Sequence, residues 1–160
     1  MNTKKVDSYI FYTSITLFII SLTQESYCTN QCGNSLAVFL VGGLGVLFEI
    51  GALTDKYLNI NTIGEVDYTI GATFSWLANP ALLIAWLTYK ESKTTSLVFT
   101  IFSFVLMLSF LTFDEVIDNE AGHYNKIISY KAGYWLWISS SAVLAAGALL
   151  RRRITNHNKI

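Results

Sequence analysis

Five long runs of apolar residues, separated by short polar stretches, make up most of this chain. They cover residues 8–22, 35–53, 68–89, 96–113 and 133–150. A helix needs about 20 mostly apolar residues, within a range of roughly 17 to 25, to cross the hydrocarbon core of a bilayer. The last three runs meet that length, the first is short, and the second is rich in glycine. The pattern therefore predicts an all-α integral membrane protein.

The composition agrees with this interpretation. Only 14% of the 160 residues are charged, 52% are hydrophobic, and the mean hydropathy is +0.44. Soluble domains carry roughly 25% charged residues, so this chain has too little charge to cover an exterior that faces water. A lipid exterior removes that problem. We find no repeat or linker and predict one transmembrane domain, 1–160. The formal net charge of +0 gives no reason to expect a nucleic-acid partner.

The positions of lysine and arginine decide between five spans and four. If all five runs cross, the basic residues divide almost equally between the two sides, whereas cytoplasmic loops normally carry the excess. If the second run does not cross, both termini are cytoplasmic and most basic residues fall on that side. Those on the cytoplasmic side are then Lys4, Lys5, Lys90, Lys93, Arg151, Arg152, Arg153 and Lys159; those outside are Lys56, Lys126 and Lys131.

We therefore predict a four-helix transmembrane bundle with spans at 8–22, 68–89, 96–113 and 133–150. The glycine-rich segment 35–53 becomes a re-entrant or interfacial helix after the first span. Its glycines weaken a helix by up to about 1 kcal/mol each relative to alanine. The alternative is that they form the packing face of an ordinary fifth span. Short loops and compact spans fit the inner (plasma) membrane of a bacterium.

Small residues and aromatic residues follow separate patterns in the spans. In the third span, small side chains recur at helical spacing and predict a close-packing face: Gly71, Ser75, Ala78, Leu82 and Ala85. Most of the large aromatic residues lie near span ends. Because amphipathic rings prefer the headgroup level, we expect a membrane-interface belt formed by Trp76, Trp86, Trp135, Trp137, Tyr89, Tyr130 and Tyr134.

Two polar residues within apolar runs are candidates for an intramembrane polar site. Glu49 lies between Phe48 and Ile50, where an ionised carboxylate is costly unless it is paired, protonated or near water. Asn79 precedes the only proline, Pro80, which removes a backbone hydrogen bond. The alternatives are that Glu49 reaches interfacial water and that Asn79-Pro80 is a structural kink.

The only cysteines, Cys28 and Cys32, fall on the outer side in this threading. Disulfides persist in oxidising compartments, so the pair is a candidate disulfide; free thiols and redox activity are the alternatives. The spacing is C-x-x-x-C rather than the C-x-x-C of thioredoxin-type sites. Two sulfur ligands alone do not complete a tetrahedral zinc site.

Other catalytic and cofactor motifs are missing from the sequence. His123 and His157 lie outside the predicted spans, which excludes a bis-histidine haem within the bundle. There is no phosphate-binding glycine motif and no G-x-S-x-G or H-E-x-x-H motif. These absences predict no cofactor and no metal, and they favour a protein that is not an enzyme.

The leading functional prediction is a small multi-pass membrane protein that acts through helix packing. It would be an accessory subunit or a binding or immunity-type protein, with the lipid bilayer and other membrane protein subunits as its partners. One alternative is a membrane thiol-disulfide oxidoreductase that uses Cys28 and Cys32. Another is a small oligomeric transporter that uses Glu49 and Asn79.

Overall fold

The computed structural model describes residues 3–58, 70–117 and 124–157. It is mostly helical (77%) and also contains two small sheets. One 3₁₀ turn, Ser75–Leu77, joins the third and fourth helices, and another, Phe110–Thr112, follows the fifth. The helices are α1 (Thr3–Leu22), α2 (Ser35–Leu58), α3 (Ile70–Phe74), α4 (Ala78–Thr88), α5 (Lys93–Ser109) and α6 (Ala132–His157).

Local sequence accounts for several helix boundaries. The Asn34 side-chain oxygen accepts hydrogen bonds from the backbone N–H groups of Leu36 and Ala37, as a helix N-cap does. Ser92 caps α5 in the same way, since its hydroxyl accepts from the N–H of Thr95. Pro80 is the third residue of α4. In a first helical turn the missing proline N–H would have had no intrahelical partner, so it costs little there.

Three helical segments are long and apolar enough to cross a membrane, judged by length and composition: Lys5–Leu22, Lys93–Thr112 and Ala132–Arg151. They coincide with the predicted spans 8–22, 96–113 and 133–150. The predicted span 68–89 begins outside the described residues, and its described part consists of α3, the 3₁₀ turn and α4. Its Ala72–Thr88 portion is a shorter apolar helix. The fourth span therefore stays a prediction.

Four helices, α1, α4, α5 and α6, pack together and are called the helical core below. α6 lies between α1 and α5, and α4 packs on α5. Phe11 of α1 packs against Tyr89, the residue after α4, with ring centroids 5.2 Å apart. Gly147 of α6 lies against the Ile10 side chain of α1, so these two helices approach closely. The core is completed by buried small and apolar residues such as Ala78, Leu82 and Leu144.

Two short antiparallel sheets lie between helix ends, which corrects the all-α prediction. The first contains β1 (Glu25–Cys28), β2 (Cys32–Asn34) and β5 (Ser129–Tyr130) in the order β2-β1-β5; the second pairs β3 (Glu115–Ile117) with β4 (Tyr124–Lys126). Buried backbone groups need hydrogen-bond partners. The segment that follows α1 and the segment that precedes α6 lie side by side. They supply these hydrogen-bond partners to each other, as in the pairing of Tyr27 with Tyr130.

The first sheet defines one end of the molecule, the sheet end, where α1 finishes and α2 and α6 begin. The opposite end, the terminal end, holds the start of α1 and the second half of α6. There the Arg151 Nε lies 3.0 Å from an Asp7 carboxylate oxygen. The Arg151 guanidinium also lies over the Tyr89 ring, 4.2 Å from its centroid. Successive helices of the core therefore run up and down between the two ends.

α2 packs beside the helical core rather than within it. It is one continuous helix of 24 residues, so the chain does not turn back between Ser35 and Leu58 as a re-entrant hairpin would. It contacts α1, β1, β2, α3 and the first 3₁₀ turn. Gly42 and Gly43 lie against the Trp76 ring, and Gly45 lies against Thr73. α2 therefore runs antiparallel to α3, and α3 itself contacts β3 at the sheet end.

The contact around Gly133 gives a test of the sheet end. A Cβ atom at Gly133 would collide with the Ser35 Oγ and lie 2.6 Å from the Glu25 carbonyl oxygen. We expect Gly133→Ala to lower the free energy of unfolding by about 1 to 3 kcal/mol, as overpacking does. The measurement is denaturant unfolding in detergent, followed by circular dichroism.

Gly51→Ala is the matched control, because nothing lies within 4 Å of a Cβ atom there. Alanine favours a helix over glycine by up to about 1 kcal/mol, so this variant should be unchanged or slightly more stable. Equal losses of stability in the two variants would contradict the described packing of α2, β1 and α6.

Candidate functional site

The interior of the helical core is lined with hydroxyl groups. Six serine and threonine residues there are at most 1% exposed: Ser14, Ser96, Thr100, Ser103, Ser140 and Ser141. Large apolar side chains point outwards instead, among them Leu83, Leu87, Val98, Ile101, Phe102 and Val105. This arrangement inverts that of a water-soluble protein, in which hydroxyl-bearing side chains are mostly exposed.

Four of the buried hydroxyls donate to a backbone carbonyl of another helix. Ser14 donates to Ser140 at 2.8 Å and Ser96 donates to Ala85 at 2.8 Å. The other two bonds run from Ser103 to Ala78, at 2.9 Å, and from Ser141 to Thr100, at 3.2 Å. Each short side chain both satisfies its own hydroxyl and lets two backbones approach, which is how helices associate in lipid. These bonds connect α1 to α6, α4 to α5, and α5 to α6.

Two tryptophans extend the same network between helices. The Trp137 indole N–H donates to the Asn79 side-chain oxygen at 2.8 Å, and the Trp86 indole N–H donates to the Ser14 hydroxyl at 3.0 Å. These two residues connect helices, a role that the interface-belt prediction did not include. Trp135, half-exposed, does lie at the surface. Asn79 is thus used to join α4 to α6.

An aromatic cluster closes the helical core at the sheet end. The buried Tyr134 donates its hydroxyl to the Met107 carbonyl at 2.8 Å, and its ring packs on Phe110 and Tyr130. Tyr130 in turn donates to the Phe110 carbonyl at 3.4 Å. Burial, and to a lesser degree the charge of Asp114, raises the pKa of Tyr130. The phenol therefore remains a neutral donor at ordinary pH.

Glu49 lies on the face of α2 that packs against α3. Only 6% of its surface is exposed, and within the part of the chain that the structure describes neither carboxyl oxygen accepts a hydrogen bond. Thr73 lies beside the carboxyl group, and its hydroxyl favours the ionised form although it makes no hydrogen bond of good geometry to either oxygen. The structure thus gives Glu49 and Asn79 different neighbours, on α3 and on α6.

Cys28 and Cys32 are joined by a disulfide in the turn between β1 and β2, with Cα atoms 3.9 Å apart. Cys28 is buried and Cys32 is exposed. The Glu25 carboxylate lies close by, and its ligand atom and the two sulfurs fall within 4.8 Å of one another. Metal ions bind thiolates, so the disulfide form does not offer these sulfurs as ordinary ligands.

The fold and these sites define a class rather than a family: a mostly helical protein with three helices able to cross a membrane and a core connected by hydroxyl groups. Comparisons with family models, curated proteins and solved structures found no match to this chain.

The bond between Trp137 and Asn79 gives a second test. Trp137→Phe keeps an aromatic ring but removes the N–H, which leaves the Asn79 oxygen without this donor. We expect the free energy of unfolding to fall by about 1 to 2 kcal/mol, the scale of hydrogen bonds between membrane helices together with the desolvation they offset. The measurement is unfolding by a denaturing detergent, followed by circular dichroism.

Trp135→Phe, two residues earlier on α6 and 50% exposed, is the control and should change stability much less. A loss at Trp135 as large as that at Trp137 would show that ring size, and not the bond to Asn79, determines stability.

Proposed function

We propose that this chain is a four-helix transmembrane bundle that acts without catalysis, as an accessory subunit or an immunity-type protein bound to another membrane protein. The observation that carries the proposal is the inverted interior of the helical core. Buried hydroxyls donate hydrogen bonds to backbone carbonyls of neighbouring helices, while large apolar side chains cover the outside. Lipid is the solvent in which that arrangement is favourable, because it rewards an apolar surface and internally satisfied polar groups.

The ends of the bundle support a threading in which both termini are cytoplasmic. Of the basic residues whose side chains the structure describes, Lys5, Lys90, Lys93 and Arg151 belong to the terminal end, and Lys126 and Lys131 belong to the sheet end. Positive residues accumulate on the cytoplasmic side. The disulfide at the sheet end would then face the oxidising compartment, where disulfides persist. In a bacterium, this proposed threading corresponds to a protein of the inner membrane.

We propose that α2 is the element that contacts the partner protein. The helical core satisfies its polar groups internally, whereas α2 lies outside it. It packs on the rest of the chain through Gly42, Gly43 and Gly45, together with Phe39 and Val46. Its other face exposes large apolar residues at helical spacing, Leu36, Leu40, Leu44 and Leu47. We propose that an apolar helix of a second membrane protein packs on this face.

Site-specific photo-crosslinking in native membranes tests this proposal. A photoreactive amino acid replaces Leu44 on α2, which is 55% exposed, or Leu87 on α4, which is 69% exposed. We expect a discrete crosslinked protein from position 44 and none from position 87. Lipid adducts alone from position 44, with a monomer recovered after purification, would refute the accessory-subunit proposal.

A further inference from the structure

Glu49 presents an energetic problem that the helix-packing function does not solve. A carboxylate that is buried without hydrogen bonds loses its solvation and gains nothing in return, whereas the neutral acid loses much less. Buried polar groups without partners are rare in native proteins, so one that persists calls for an explanation. The packing of α2 on α3 is the structural feature that creates this burial.

Among the residues that the structure describes, none supplies an opposite charge to Glu49. α3 and the following 3₁₀ turn contain no titratable side chain, and Thr73 is their polar residue nearest the carboxyl group. Among the other elements that contact α2, Glu25 of β1 lies beside its first residue, and the charged residues of α1 lie at the terminal end. The remaining charges on α2 itself, Asp55 and Lys56, have side chains outside the described part of the structure.

We propose that Glu49 is a proton-binding site whose occupancy holds α2 docked against α3. With the proton bound, the neutral carboxyl group remains in the apolar contact beside Thr73, and α2 stays packed. When the proton leaves, the carboxylate must reach water or a cation, and α2 separates from α3. The docked state is therefore stable at low pH and is lost as the pH rises. The inference goes beyond the proposed function and does not depend on the identity of a partner.

The same contact contains a reporter of docking. The Trp76 ring lies against Gly42 and Gly43 of α2, and its indole N–H donates to the Phe39 carbonyl at 2.8 Å. Separation of α2 from α3 would expose this ring and break this bond. The fluorescence of Trp76 should therefore shift to longer wavelength as α2 undocks. The contribution of Trp76 is isolated by subtracting the signal of a Trp76→Phe variant.

The experiment is a pH titration of tryptophan emission, from about pH 5 to about pH 9, on the full chain in lipid vesicles; buried glutamic acids titrate within this window. We expect a single-site red shift with rising pH that is absent in Glu49→Gln, which keeps the emission of the low-pH state. Glu91→Gln, at an exposed acid near the terminal end, should titrate as the unmodified chain does.

A second variant keeps the test decisive if Glu49→Gln does not fold. Thr73→Val preserves the shape of the side chain and removes its hydroxyl. Because that hydroxyl favours the ionised acid, the midpoint of the emission titration should move to higher pH in this variant. The proposal is overturned if the shift survives in Glu49→Gln, or if Trp76 emission does not change with pH. It is also overturned if emission depends on sodium or potassium concentration at fixed pH, since the ligand would then be a metal cation.

Discussion

Hydrogen bonds from buried hydroxyls to the carbonyls of neighbouring helices are the interaction on which this structure depends. In lipid, apolar side chains gain little by turning inwards, so helices associate through close packing and interhelical hydrogen bonds. Ser14, Ser96, Ser103 and Ser141 provide both, because each is small and each donates to a backbone carbonyl of a neighbouring helix. Replacing them with large apolar residues would separate the helices that they now connect.

Much of the helical framework could be predicted from the pattern of apolar residues. The runs 8–22, 96–113 and 133–150 correspond to α1, to α5 with its 3₁₀ turn, and to α6, because a run of that length strongly favours a helix. The sheets could not be predicted: each strand has two to four residues and exists because chain ends meet in space. The interruption of the helix before α4 could be predicted only in part. Pro80 indicates a disturbance of the helix but does not locate the 3₁₀ turn at Ser75–Leu77.

The candidate site was predictable where it follows local spacing and unpredictable where it joins distant segments. Helical periodicity marks Gly71, Ser75, Ala78, Leu82 and Ala85 as one face, and the last four, whose burial the structure describes, are buried. By contrast, Trp86 and Ser14 are 72 residues apart, and Trp137 and Asn79 are 58 apart. No local rule pairs such residues, and the preference of tryptophan for membrane interfaces names no partner on another helix. For Glu49, the sequence indicated an unusual position, and the structure adds its burial against α3.

The measurement that tests the central claim most directly is thiol labelling of Cys28 and Cys32 in intact cells with a membrane-impermeant reagent, before and after reduction. A four-helix transmembrane bundle with cytoplasmic termini places this pair outside as a disulfide. The account therefore predicts labelling only after reduction, without lysis. Labelling that appears only after the cells are lysed would place the sheet end inside the cell and contradict the threading on which the proposed function rests.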